Sequence, residues 1–508
     1  MRTFVHAVAL ITAFAVATRA IGFLFRIFLS RVLGAEMLGV YQISMAFFMV
    51  FLTLVATGLP LAISKQVATR NTRGVVTAGL VISLSASALV CLVVLAGSRF
   101  FGFLFTDERC IAILIALIPS VIAASVYGVI RAVWWGEKRF FLLGATELLE
   151  QVLRVVVFAV MLAVAFLFVD LSQIAALSYT VAFFIATVVV VIIFIKTRRL
   201  KTPALTGHPS QYKPLIKSAA PITGVRLAAS LTMPIISVLV PMRLIAAGWS
   251  PTAAVAAFGV LVGMTLPLLT IPQTVISSLS TALVPELSSA HKDKNSASVS
   301  KQINNALRFT LFINFLLVPV FMALGEGIGV FLFDDVQSGV FLSLYAWAMI
   351  PMSMSQITNA ILNSLGAETR AMKNYFIGSL ALFAAIWFLP GVIGIGALVV
   401  GMGACMIIAS ILNLFLIRKL IKTPALAGTP FEKGGMIGSL ISHFVTLTLI
   451  TIPAALVGYF TQGIAGSMLP LFFALGISGA ITLGTFLVLC HLFKVIDVNT
   501  VLARRRIA

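Results

Sequence analysis

The sequence predicts an all-α integral membrane protein with about fourteen transmembrane helices. Three observations predict this fold class: 61% of the 508 residues are apolar, only 10% are charged, and the mean hydropathy is +1.14. A soluble domain carries roughly 25% charged residues, whereas a membrane-spanning helix needs about 20 consecutive, mostly apolar residues. The composition therefore excludes a water-soluble enzyme.

Apolar runs of spanning length recur along the whole chain. Their bounds are 4–28, 38–63, 75–97, 111–135, 142–168, 171–195, 218–246, 253–284, 305–332, 339–364, 374–390, 393–417, 436–459 and 464–492. The division between the eleventh and twelfth runs depends on Pro390 and Gly391, because proline lacks a backbone N–H and glycine is flexible.

The distribution of charge predicts the orientation in the membrane. The net charge is +20, from 35 Lys and Arg against 15 Asp and Glu. Cytoplasmic connections are enriched in Lys and Arg, and the even-numbered connections carry most of them here. The opposite side holds only Arg31, Arg99, Arg109 and Arg243. We therefore predict that both termini are cytoplasmic and that the basic excess faces membrane lipids, with no nucleic-acid partner.

An internal repeat predicts the domain organisation. The fourth run ends in a segment from Ser125 to Gly136, and the tenth ends in a segment of equal length from Ser355 to Gly366. Because each half holds an even number of helices, the halves would be parallel repeats. We predict an N-lobe of helices 1–6 (1–200), a cytoplasmic linker (201–217), a C-lobe of helices 7–12 (218–420), and helices 13–14 with a basic tail (421–508).

Six ionisable residues fall inside predicted spans: Arg19, Arg26, Glu147, Glu150, Arg154 and Arg226. A charged side chain at the bilayer centre costs roughly 2.5–3.5 kcal/mol on insertion scales, so each needs a wet cavity or a partner. Arg19 and Arg26 share a helix face, and Glu147, Glu150, Gln151 and Arg154 form one polar stripe at helical spacing.

Two interpretations of these charges stay open. In one, Glu150 and Arg154 form a structural ion pair at i, i+4, and the other arginines reach the membrane interface. In the other, the four arginines and two glutamates meet in a cavity with a net charge of +2. Such a cavity would complement a diphosphate, since the guanidinium group binds phosphate through two parallel hydrogen bonds.

The segment Thr18–Gln42, TRAIGFLFRIFLSRVLGAEMLGVYQ, resembles the opening of the stage V sporulation protein B family. That family belongs to the multidrug/oligosaccharidyl-lipid/polysaccharide (MOP) exporter superfamily, with the lipid II flippase MurJ and the MATE drug antiporters. Further segments fit the same family in the same order: Glu150–Arg154, Pro267–Pro272, Leu283–Ser288 and Asn359–Gly366.

The resemblance implies two six-helix lobes around a cationic cavity, and a groove for a lipid tail at helices 13 and 14. It implies that Arg19 and Arg26 contact a diphosphate. We expect the headgroup-binding set to be Arg19, Arg26, Arg154, Arg226, Gln42 and Gln151. Glu150 and Glu147 are the candidates for proton coupling, with the membrane potential as the alternative driving force.

Some relatives bind sodium through acidic residues of helices 7, 11 and 12. Here the segments 218–246 and 374–417 contain no Asp or Glu, so we expect no metal site. We also expect no cofactor and no catalytic residue.

The function implied is an alternating-access flippase in the bacterial cell membrane. As a monomer, it would move a polyprenyl-diphosphate-linked sugar, such as a lipid II-like peptidoglycan precursor or a polysaccharide precursor, from the cytoplasmic to the outer leaflet. The alternatives are a cation-coupled multidrug exporter and a membrane glycan polymerase or ligase. The last needs a catalytic acid or base on a sizeable outer loop, and the outer connections are short. We therefore expect a transporter and no enzyme.

Overall fold

The computed structural model describes residues 2–69, 74–165, 170–198, 212–292, 296–421, 435–493 and 495. These residues are almost entirely helical. The α-helices are α1 (Arg2–Ala56), α2 (Gly58–Ala68), α3 (Val75–Ala96), α4 (Ser98–Leu104), α5 (Arg109–Leu117), α6 (Ser120–Gly136), α7 (Phe140–Ala165), α8 (Leu171–Arg198), α9 (Tyr212–Ser230), α10 (Thr232–Ala246), α11 (Pro251–Phe258), α12 (Leu266–Leu269), α13 (Ile271–Lys292), α14 (Ser296–Phe333), α15 (Val336–Tyr345), α16 (Met349–Ser364), α17 (Glu368–Phe388), α18 (Pro390–Ile393), α19 (Gly396–Ile421), α20 (Gly435–Met468) and α21 (Leu471–Leu492).

The predicted all-α membrane fold is confirmed. Among the described residues, 12 helical stretches are long and apolar enough to cross a membrane. The first of these, Thr12–Ala68, has 57 residues. At 1.5 Å per residue it would be about 85 Å long, far more than the roughly 30 Å hydrocarbon core. It therefore contains two of the predicted runs. With α7 added, the described helices account for about fourteen crossings.

The first two predicted runs are joined through Gly34. Its backbone has φ 68° and ψ 179°, a conformation that glycine adopts readily and other L-residues rarely do. The helical register is therefore interrupted here without a loop. The eleventh and twelfth runs are separate, as predicted, because the short α18 and Gly394, with φ 56°, stand between α17 and α19.

The described helices form two compact units, Met1–Gly259 and Val260–Ala508. The first contains α1–α11. The segment 199–211, most of the predicted linker, lies outside the described residues, as do 422–434 and 496–508 with most of the basic residues of the predicted C-terminal tail. The lobe boundaries therefore stay a prediction.

Within the first unit, α1 and α7 pack side by side in the same direction. The rings of Phe14 and Phe141 are 5.7 Å apart between centroids, and those of Phe25 and Phe158 are 5.6 Å apart. Between these contacts, a Cβ on Gly22 would lie 3.0 Å from Nε2 of Gln151. Contacts that advance together along both helices define a parallel pair, which places the charged positions of α1 and α7 at similar depths.

The second unit holds a buried amide network. Asn413 is fully buried and donates from Nδ2 to Asn359 Oδ1 (2.9 Å) and to Thr358 Oγ1 (3.2 Å). Its Oδ1 accepts from Asn374 Nδ2 at 2.9 Å. Asn314 and Ser353 form a further buried pair at 2.9 Å. These bonds join α14, α16, α17 and α19.

Candidate functional site

Arg154 on α7 is held between an acid and an aromatic ring. Its Nη2 donates to the carboxylate of Glu150, one turn earlier on α7. Its guanidinium carbon lies 4.5 Å from the ring centroid of Tyr179 on α8. Glu150 and Tyr179 are both buried. Nε of Arg154 is also buried and has no hydrogen-bond partner among the described residues. The predicted ion pair is therefore present, and the N–H of Nε stays without a described partner.

Arg131 on α6 has the same kind of surroundings. Its Nη2 lies 2.7 Å from Glu147 Oε2 and 3.3 Å from the Leu143 carbonyl oxygen. Its Nη1 donates to the hydroxyl of Tyr127 at 3.2 Å, and its guanidinium carbon lies 5.2 Å from that ring's centroid. Each arginine thus has one glutamate of α7 and one tyrosine face, an arrangement that we call an arginine–glutamate–tyrosine unit.

A row of aromatic rings connects the two arginine–glutamate–tyrosine units. Tyr127 meets Phe183 edge to face at 5.3 Å, and Phe183 stacks on Tyr179 at 5.8 Å between centroids. Glu150 interacts electrostatically with both tyrosines. The face of a ring attracts cations and its edge attracts electron-rich groups. The row of rings therefore links the surroundings of Arg131 to those of Arg154.

The first helix contributes Arg26. Its guanidinium is partly buried and interacts electrostatically with Tyr41, which also interacts with Arg154 and Tyr179. Gln151 is buried against Gly22. Of the predicted binding residues, Arg26, Gln151 and Arg154 therefore lie close together, with Glu150 as their acid.

The remaining predicted residues lie elsewhere in the first unit. Glu147 belongs with Arg131 and is half exposed, so the predicted polar stripe of α7 is divided between two arginines. Arg19 is exposed and makes no ion pair within the described part of the chain. Gln42 is partly buried. Arg226 on α9 is exposed and likewise has no ion pair with a described residue.

A cavity of about 370 Å³ lies in the first unit, beside Arg131. Its wall holds two cations, Arg131 and Arg226, and three aromatic rings, Tyr127, Trp135 and Phe183. The remaining lining comes mostly from small and aliphatic side chains together with two hydroxyls: Leu52, Ala56, Thr57, Pro60, Leu61, Ser64, Ala124, Gly128, Ala132 and Leu143.

Sequence reasoning missed Arg131, Tyr127 and Tyr179. Arg131 lies near the end of the predicted run 111–135, where a basic residue is typical of the cytoplasmic end of a membrane helix. Its spacing from Tyr127, at i, i+4, was a usable signal, since residues four apart share a helix face. The approach of Tyr179 to Arg154 joins different helices, so local spacing could not reveal it.

Comparison with known proteins gives the family. A family model described as "Polysaccharide biosynthesis protein" matches residues 4–291. The chain belongs to this polysaccharide biosynthesis family. It is 26% identical over 468 residues to stage V sporulation protein B of Bacillus subtilis (strain 168), which covers 88% of this chain and 90% of the relative. A second relative from that strain, sporulation protein YkvU, is 22% identical over 331 residues, covering 61% and 71%.

Solved structures give the same fold. The lipid II flippase MurJ in an inward closed conformation superposes with a TM-score of 0.69 at 12% identity, covering 95% of this chain and 98% of MurJ. An inward-facing multidrug resistance MATE family transporter gives a TM-score of 0.66 at 14% identity, covering 81% and 96%. This member of the polysaccharide biosynthesis family is thus a multi-pass membrane protein, and it shares its fold with the lipid II flippase MurJ and with a MATE transporter of the MOP superfamily.

Proposed function

We propose that this family member moves a polyprenyl-diphosphate-linked sugar from the cytoplasmic to the outer leaflet of the bacterial cell membrane. The observation that carries the proposal is the pair of arginine–glutamate–tyrosine units in the first helical unit, with Arg226 beside one of them and Arg26 near the other. Four arginines against two glutamates leave a net charge of +2, which complements a diphosphate.

The chemistry of these groups suits a phosphorylated headgroup better than a carboxylate or a neutral sugar. The guanidinium fork matches two phosphate oxygens at once. Nε of Arg154 is buried and has no hydrogen-bond partner in the described part of the chain, so it is a donor that a bound anion could satisfy while Nη2 holds Glu150. The diphosphate would replace the glutamates as the partner of the arginines. The two arginine–glutamate–tyrosine units would be two binding positions that it occupies one after the other along the aromatic row.

Alternating access by such a site needs an energy source. Moving one negative charge outward across 100 mV of inside-negative potential releases about 2.3 kcal/mol. The membrane potential therefore suffices for an anionic cargo. Proton coupling through Glu150 or Glu147 is the alternative that we propose for these acids, because both face the arginines that the headgroup would use.

The test is outer-leaflet exposure of a lipid-linked sugar by protein reconstituted in vesicles. Arg226→Ala is the cleanest variant, because Arg226 is exposed and has no described ion pair, so its removal leaves no buried charge. We expect at least a tenfold loss of flipping. Lys217→Ala removes an exposed cation from the same helix, outside the cavity lining, and should keep full activity. Full activity of Arg226→Ala and Arg131→Ala would refute the proposal.

A polymerase or ligase is the weaker alternative, because the solved structures that share this fold include a lipid II flippase and a multidrug transporter. The cation-coupled multidrug exporter remains the second candidate, since the MATE structure shares the fold. The net positive charge of the first unit's polar groups favours an anionic cargo over a cationic drug.

A further inference from the structure

The cavity beside Arg131 is lined by two chemically different kinds of side chain. Arg131 and Arg226 provide the cations, and Tyr127, Trp135 and Phe183 provide ring surface. A diphosphate can be bound by the arginines alone, so the aromatic rings are available for another part of the substrate. Trp135 leaves 56% of its surface accessible, although its neighbour Trp134 is fully buried. An indole of this size, partly uncovered on a cavity wall, offers a face to a ligand.

The geometry points to a sugar subsite: we propose that this cavity binds the sugar ring attached directly to the diphosphate, with Trp135 as its stacking platform. The inference rests on the proposed function and identifies the part of the substrate that the protein recognises. Ring faces carry partial negative charge and attract the C–H groups on the apolar face of a sugar. The hydroxyls of Ser64 and Thr57 also line the cavity; each donates its own hydrogen to a backbone carbonyl earlier in the chain and can accept a hydrogen bond from a sugar hydroxyl.

The size of the cavity limits what it recognises. Its volume of about 370 Å³ corresponds to about a dozen water molecules at 30 Å³ each, which is enough for one sugar ring together with the phosphate attached to it. Arg131 and Arg226 would then hold the phosphate adjoining that ring. With the phosphate and the first ring in place, sugars further along the headgroup would extend outside the cavity. The protein would therefore select for the first sugar and tolerate variation beyond it.

The experiment compares three probes binding to the full-length protein in detergent: farnesyl diphosphate, the same lipid diphosphate carrying one N-acetylglucosamine, and the version carrying a disaccharide. We expect the first sugar to tighten binding roughly tenfold, and the second to change it less than about twofold. Trp135→Leu should abolish the gain from the first sugar without affecting the bare diphosphate. Trp135→Phe should retain most of it, because an aromatic face remains.

Matched controls separate this inference from the proposed function. Trp387→Leu removes another partly exposed tryptophan, on α17 of the second unit, and should change no affinity. Arg226→Ala should weaken all three probes by the same factor. If Arg226→Ala weakens them but Trp135→Leu leaves the sugar gain intact, the subsite is wrong and the proposed function stands. The subsite is also wrong if Trp135→Leu weakens the bare diphosphate equally. If Arg226→Ala and Arg131→Ala leave every affinity unchanged, the proposed function itself fails.

Discussion

Arg154 lies with its guanidinium carbon 4.5 Å from the ring centroid of Tyr179, while its Nη2 is bound to Glu150. The ring therefore covers a cation whose charge is already balanced by a carboxylate. A partly desolvated cation–π contact contributes about 1–2 kcal/mol, and the ion pair is needed because an unpaired buried charge is far more costly. The Glu150 carboxylate and the Tyr179 ring therefore both stabilise the guanidinium of Arg154.

The first prediction separates the ion pair from the binding site. Arg154→Gln alone leaves Glu150 buried without its cation and should destabilise the protein by about 3–5 kcal/mol. The double variant Glu150→Gln/Arg154→Gln removes both charges and should recover most of that stability. Thermal unfolding in detergent measures the difference. Both variants should lose binding of inorganic pyrophosphate, measured calorimetrically. If the double variant still binds it like the wild type, Arg154 has no role in anion binding.

The second prediction concerns the ring. Tyr179→Phe keeps the aromatic face over Arg154 and should leave headgroup affinity within about twofold. Tyr179→Leu removes the face and should lower the affinity by roughly tenfold, in line with a cation–π contribution near 1.4 kcal/mol. Equal effects of the two substitutions would mean that the hydroxyl or simple packing matters, and not the ring.

The third prediction concerns two glycines at which helices of the first unit approach closely. A Cβ on Gly259 would lie 2.1 Å from the Ala35 carbonyl oxygen, and one on Gly39 would lie 2.1 Å from the Val255 carbonyl oxygen. Backbone atoms cannot move aside as a flexible side chain can. Gly39→Ala and Gly259→Ala should therefore reduce the yield of folded protein sharply.

Gly224→Ala is the matched control for these two substitutions. Gly224 lies in α9, and a Cβ there would meet nothing within 4 Å. Alanine is the better helix former by roughly 1 kcal/mol, so this variant should be at least as stable as the wild type. Size-exclusion profiles and melting temperatures measure all three. A well-folded Gly259→Ala protein would contradict the close approach.

The fourth prediction is a pH dependence at the N-terminal end of α5. Asp107 accepts hydrogen bonds from the backbone N–H of Arg109 at 2.9 Å and from its Nη2 at 2.7 Å, and the same Nη2 reaches Glu36 at 2.5 Å. Burial by itself would raise the pKa of Asp107, but the bonds from Arg109 outweigh it and hold the pKa of the carboxyl below its ordinary value.

A carboxyl whose pKa is lower in the folded state stabilises the protein at pH above its ordinary pKa, and this stabilisation is lost as pH falls through the folded value. The melting temperature should therefore fall as the medium is acidified from about pH 5 to below pH 4. Asp107→Asn should lower the melting temperature at neutral pH and flatten this slope. Glu108→Gln, at the exposed neighbour, should change neither. An unaltered slope in Asp107→Asn would show that the acid sensitivity comes from other groups.

The sequence predicted the helices better than the site. Runs of apolar residues are local signals, and nearly every predicted run coincides with a helix of the structure. Gly34 lies in the gap between the first two predicted runs, so the pattern indicated a break there. The pattern did not show that the chain continues as a helix through one positive-φ glycine instead of forming a loop.

The site was predicted where its contacts are local. Glu150 and Arg154 pair at i, i+4 on one helix, so their spacing sufficed. Arg131 on α6 pairs with Glu147 on α7, and at the end of an apolar run a basic residue by itself indicates only a cytoplasmic helix end. Pairings such as Arg131 with Glu147 and Arg154 with Tyr179 depend on how helices pack, which spacing along one chain segment does not determine. The exposure of Arg19 and Arg226 also depends on how the helices pack, so their positions in the sequence did not predict it.

The last prediction distinguishes an anionic cargo from a cationic drug. Arg226 is the exposed cation of the cavity wall, without an ion pair among the described residues, so Arg226→Glu changes the local charge by two without breaking an existing pair. At an effective dielectric constant near 20, two unit charges 4 Å apart interact by about 4 kcal/mol, which is ample to reverse the preference of the cavity. We expect Arg226→Glu to lose pyrophosphate binding and lipid flipping, whereas Arg226→Gln should lose only part of both. If the protein were a drug exporter, Arg226→Glu would instead increase the efflux of a cationic dye from vesicles, and the wild type would transport that dye measurably. Dye efflux by the wild type together with unchanged lipid flipping in Arg226→Glu would favour the drug exporter.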